Sequence, residues 1–140
     1  AERSDVKPLL KEAAWPDEKD FPKSLKREVF IKHIKGPLFF GTTSDFQQLA
    51  EQIPKTASIV ILRLGRMQYM DQSGLYAMEE VLLELRKHQI LPLFVDVLDQ
   101  PRYMMERIDI IPDLVPAEHI FENFKKCVRW IEETELIDKA

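Results

Sequence analysis

The spacing of apolar and polar residues changes several times along the chain, and each change marks an element. Ser58-Ile59-Val60-Ile61-Leu62-Arg63-Leu64 is a short, β-branched, nearly continuous apolar run. That is the pattern of a strand covered on both faces. Farther on, Leu75, Met78, Leu82 and Leu85 recur every three or four residues, with Glu79, Glu80, Glu84, Arg86 and Lys87 filling most of the remaining surface. This predicts an amphipathic helix over 74–87. Between the two lies Met70-Asp71-Gln72-Ser73-Gly74. A strand, a small polar turn and a helix start make half of a βαβ unit, and such a turn presents unpaired backbone N–H groups and the positive end of the helix. Ser73 is expected to be exposed there beside Asp71, and either residue can cap the helix.

The remaining pattern alternates in the same way. Strands are expected at 29–34 and 38–40, around a turn at Lys35-Gly36-Pro37, with the first strand pairing antiparallel. Ser44 should cap a helix over 45–52 that presents Phe46, Leu49 and Ile53 on one face and stops at Pro54. A buried strand follows at 92–97, and Pro101 opens a helix to about Ile108. A short strand at 119–121 precedes a final helix over 122–134 whose apolar side carries Phe124, Val128 and Ile131. The fold class is therefore α/β with a mostly parallel sheet. Residues 1–26 differ: they hold Pro8, Pro16 and Pro22, many charges and few apolar residues besides Leu9, Leu10, Trp15 and Phe21. They read as a linker with one helical turn at 9–14, removable with little loss of stability. Trp15 and Phe21 either anchor this linker to the domain or a neighbouring subunit, or pack locally.

Composition narrows the function. A chain of 140 residues, 45% apolar, fits one domain, and a net charge of −4 leaves no basic footprint for nucleic acid. Cys127 is the single cysteine, so no intrachain disulfide can form, in keeping with a reducing compartment. No stretch approaches the roughly 20 apolar residues of a spanning helix, and no signal peptide is visible, so this piece is expected to be soluble. His33, His88 and His119 fall on separate elements without metal-ligand spacing, and four glycines build no phosphate loop. Asp96 and Asp99 follow a strand as solvated carboxylates commonly do. Neither catalysis nor a cofactor is expected. The loop 65–70 is unusual, with Arg66, Met67, Tyr69 and Met70 leading into Asp71. Its methionines, with Met104 and Met105, either form an adaptable contact surface or fill the core. Arg66 and Arg102 are candidates for an anion or a nucleotide phosphate.

The apolar run followed by Met70-Asp71-Gln72-Ser73-Gly74-Leu75 resembles the signature of the STAS domain, shared by sulfate transporters and anti-sigma factor antagonists. A second segment, Gly36-Pro37-Leu38-Phe39-Phe40-Gly41, resembles the version found at the cytoplasmic C-terminus of SulP-type anion transporters. The resemblance covers about residues 28–133. It implies a STAS-like mixed, mostly parallel sheet of four to five strands with about four helices, residues 1–27 being a linker from a preceding membrane domain and 28–140 the STAS domain. It further implies a non-catalytic regulatory and protein-interaction role at the inner face of the plasma membrane. The implied partners are the transmembrane domain of the same chain, a second copy in a homodimer and a cytoplasmic protein. The edge concerned would comprise Arg66, Met67, Met70, Asp71, Gln72, Ser73 and Gly74, with weak nucleotide binding as a further family trait. In the antagonists the serine before the glycine is phosphorylated, which makes Ser73 the candidate phosphoacceptor. The residue before it, often a second serine there, is Gln72 here. The alternative implied is a stand-alone antagonist switched by phosphate on Ser73.

Overall fold

The computed structural model describes residues 13–134, and the helical turn expected at 9–14 falls largely outside them. Four strands, β1 (Val29–His33), β2 (Ile59–Arg63), β3 (Leu91–Val95) and β4 (Ile120–Phe121), form one sheet in that order with every neighbouring pair parallel. The helices are α1 (Thr43–Gln47), α2 (Leu49–Gln52), α3 (Gln72–Lys87), α4 (Asp99–Arg107) and α5 (Phe124–Glu133). In register, Val29 lies opposite Ile59, and Ile59 opposite Leu91.

Strand periodicity sends alternate residues to two separate cores. Val60, Leu62 and Phe94 pack with Phe46, Leu49, Leu75, Met78, Leu82 and Met105 from the helices α1 to α4. Val29, Ile59, Ile61, Leu93 and Val95 pack on the opposite face with Phe124, Cys127 and Ile131 of α5 and with Leu25. Every residue of β2 is buried, the terminal Arg63 included. The result is a three-layer α/β fold.

Several expectations need correction. β1 runs parallel to β2, because residues 34–58 cross back over the sheet through α1 and α2 instead of turning directly. No strand forms at 38–40; only Leu38 pairs, as a lone parallel bridge to Met70, and a 3-10 turn starts at Phe40. Ser44 lies inside α1, which starts at Thr43, and the expected helix is interrupted at Gln48. Pro101 is the third residue of α4, and α5 starts at Phe124 behind an Asn123 cap. The largest difference concerns the expected linker. Its described part folds back on the sheet: Leu25 is a core residue, Glu18 is buried, and Phe21 packs against Phe124 at 6.0 Å between ring centroids.

Candidate functional site

The turn after β2 is built at the carboxyl ends of the parallel strands, where open α/β sheets commonly place their ligands. Its framework is backbone. Leu38 N–H donates to the Tyr69 carbonyl at 2.9 Å, and Asp71 N–H donates to the Leu38 carbonyl at 3.2 Å. Thus the Gly36–Gly41 segment is sewn onto the polar turn. Gln100 holds the other side. Its amide accepts from Met70 N–H and donates to the Met70 carbonyl, both at 2.9 Å. Both polar groups of Met70 are therefore satisfied by one side chain from α4.

Asp71 is the helix cap, its carboxylate accepting from Gly74 N–H at 2.8 Å. Gly74 is buried, and a Cβ there would lie 2.0 Å from the Leu38 carbonyl oxygen. Glycine at this point permits close approach of two backbones. Ser73, one residue earlier, is exposed, and its hydroxyl has no hydrogen-bond partner among the described residues. Gln72 is exposed and donates to the Tyr76 hydroxyl at 3.2 Å. Gln72, Leu75, Tyr76, Met104 and Arg107 line a shallow groove between α3 and α4.

The structure brings Asp71, Gln72, Ser73 and Gly74 together at one helix start, and removes the methionines from the surface. Met67, Met70 and Met105 are completely buried and only Met104 is partly open, so the thioether patch does not exist. In the loop after β2, Arg66, Gln68 and Tyr69 are exposed while Met67 and Met70 turn into the core that packs beneath α3. Arg66 is directed elsewhere, its guanidinium lying 4.0 Å from the centroid of the Trp15 ring. Arg102 is half-buried on α4, Asp96 is exposed at the end of β3, and Asp99 lies in the first turn of α4. His33, His88 and His119 are dispersed: His88 ends α3 and pairs with Glu84 at 3.1 Å. No cluster of metal-ligating side chains occurs among the described residues. Burial pushes the Cys127 thiol up to about 12, against a smaller opposing pull from Arg63, leaving it unreactive as a nucleophile.

A second polar constellation on the other face escapes sequence reading. Arg63, the last residue of β2, is buried, and its guanidinium donates to Glu18 at 2.8 Å and to Asp17 at 2.7 Å. The same Glu18 carboxylate meets His33 Nε2 at 2.7 Å, and its other oxygen accepts from Trp15 N–H at 3.2 Å. The rings of Trp15 and Phe124 flank the guanidinium at 4.9 and 4.5 Å. Burial opposes the Arg63 charge, yet the bonds to Asp17 and Glu18 hold its pKa above the ordinary value. Hydrogen bonding to Arg63 holds the Asp17 carboxyl below the usual range. One signal was present: a lone arginine in a buried apolar strand demands a partner.

Comparison with known proteins supports one family. YvdB of Bacillus subtilis (strain 168), a protein named for sulfate transport, is 26% identical over 106 residues, which is 73% of this chain and 20% of YvdB. The chain thus spans about a fifth of that relative. A sulfate transporter family protein from Wolinella succinogenes superposes with a TM-score of 0.72 at 24% identity, over 87% of this chain and 96% of that one. The STAS domain of a SulP transporter from Vibrio cholerae superposes with a TM-score of 0.64 at 23% identity, over 95% and 98% of the two chains. The likeness to these two solved structures shows the shared fold. Residues 22–127 match the family described as STAS domain, and the chain therefore belongs to the STAS-domain family, similar to the STAS domains of SulP-type anion transporters.

Proposed function

We propose that this chain is the regulatory, protein-interacting domain of a SulP-type anion transporter, working at the cytoplasmic face of the membrane through the first turn of α3. The observation that carries this reading is the contrast within that turn. Its backbone is fixed by Leu38, Asp71 and Gln100, while Gln72, Ser73 and Tyr76 remain exposed on top. A rigid frame displaying exposed polar and aromatic side chains suits recognition of a protein surface, since little ordering entropy remains to be lost on binding. YvdB is about five times longer than the stretch it shares with this chain, which supports a larger protein whose membrane part supplies transport. In this reading residues 1–27 connect to that part, the intact transporter is a homodimer, and the domain itself is non-catalytic and uses no cofactor. Ser73 is the phosphoacceptor, its hydroxyl open to a kinase, although Gln72 replaces the second serine found in the antagonists. The transporter names of these relatives favour this assignment over a stand-alone antagonist.

Ser73→Glu in the full-length protein tests the proposal. A phosphate or carboxylate is tolerated at a helix N-terminus but changes the charge that a partner meets. Anion uptake should fall while membrane abundance and the thermal stability of the isolated domain stay near those of the parent. Normal uptake at normal abundance would reduce the turn to a helix start without a partner.

A further inference from the structure

At the opposite end of the sheet, below the amino end of β3, lies a hollow that plays no part in the reading above. It has a volume of about 410 Å³ and is walled by Leu82, Ile90, Leu91, Leu114 and Pro116. That size is within the ordinary range for small-molecule sites, which are mostly apolar with a few placed polar groups. Two such groups are present. Arg86, in the last turn of α3, donates through Nη2 to the Asp113 carbonyl at 3.1 Å. This bond aligns the guanidinium, whose other N–H groups have no protein acceptor among the described residues. His119 also lines the hollow; its ring packs against Trp130 at 5.3 Å and 66°, and its ring nitrogens are without a partner among the described residues.

The neighbouring helix end does not cancel this positive character with free acceptors. His88, Gln89 and Ile90 donate their N–H groups to the carbonyls of Glu84, Leu85 and Arg86, closing the last turn on itself. Among the described residues the Asp113 carboxylate is the one negative side chain lining the hollow, and it would oppose a ligand carrying a second negative charge. An inorganic anion would leave the apolar walls unused, and a neutral apolar molecule would leave the Arg86 donors unmet.

We propose that this hollow binds a small monocarboxylate with an apolar body, the carboxylate on Arg86 and His119 and the body against Leu82, Ile90 and Leu114. Planar carboxylate recognition is what a held guanidinium does best. The test is a titration of the 140-residue chain by amide-resolved NMR, with hexanoate, hexanol and sodium sulfate in parallel. Hexanoate should give saturable shifts at Leu91, Asp113 and Leu114 with a Kd of about a millimolar or tighter, as expected for so small a ligand. Hexanol should bind at least about tenfold more weakly, and sulfate should not compete. Because Arg86 is exposed, Arg86→Gln keeps the fold and should weaken hexanoate about tenfold while leaving hexanol unchanged. Equal binding of hexanol and hexanoate, displacement by sulfate, or no saturable shift up to about 20 mM would each overturn the assignment. None of these results bears on the turn at Ser73, which lies at the other end of the strands.

Discussion

Two regions at the carboxyl end of the strands are held together by opposite means. Around Ser73 the chain is joined through main-chain hydrogen bonds, one aspartate cap and one glutamine, with an apolar core of Met67, Met70 and Leu38 beneath. Around Arg63 it is joined through charge, with Glu18 and His33 buried and Asp17 at the rim. The first arrangement fixes the backbone and leaves side chains free for other tasks. The second uses its side chains up, binding a distant part of the chain to the sheet. Buried ion pairs contribute little net stability once desolvation is counted, but losing one member is severe. The Arg63 cluster is therefore better understood as a lock on where the N-terminal segment lies than as a source of folding energy.

The contrast breaks most visibly at Arg63. Arg63→Met leaves Glu18 buried with His33 and without its guanidinium, and should cost about 3–5 kcal/mol in denaturant unfolding of the isolated domain. Trypsin should then cut at Lys19, Lys23 or Lys26 faster than it does in the parent, where the neighbouring Glu18 and Leu25 are held in the fold. Adding Glu18→Gln should return part of the loss, because the uncompensated charge is gone. If the single variant is as stable as the parent, the lock is not closed. At the other region the strongest break is Gly74→Ala. Its methyl group would collide with the Leu38 carbonyl, and overpacking of this kind costs about 1–3 kcal/mol, here at the upper end since the obstacle is backbone. Urea melts measure it directly, and no loss would mean that Leu38 is not fastened at that point. The comparison is sharpened by two neighbours. Asp71→Ala removes the cap and should cost about 1 kcal/mol. Ser73→Ala should stay within about 0.5 kcal/mol, the usual effect of an exposed residue with no structural partner.

This asymmetry also explains what could be anticipated. The run at 58–64, the polar turn and the helix after it are local patterns, and each appears close to where its periodicity placed it, the helix starting two residues earlier, at Gln72. The sheet is parallel, as alternating elements imply. The direction of β1 was not legible, because it depends on how 34–58 return across the sheet and not on any residue in the strand. Met67 and Met70 misled because methionine suits surfaces and cores equally, and only the packing of the loop against Leu38 and α3 decides which it does here. Asp17 and Arg63 are 46 positions apart, so their pairing has no trace in either local stretch. The same distance hid the structural part played by residues 15–25, whose polar composition resembles a linker even where Leu25 is fully enclosed.

Cys127 gives the molecule a reporter of its own. It is the chain's sole cysteine, completely enclosed beneath α5, with a thiol pKa pushed up to about 12. At neutral pH almost none of it is thiolate, so an alkylating reagent finds no target while the layer stays shut. The rate at which iodoacetamide labels the native protein therefore counts how often α5 lifts away from the sheet.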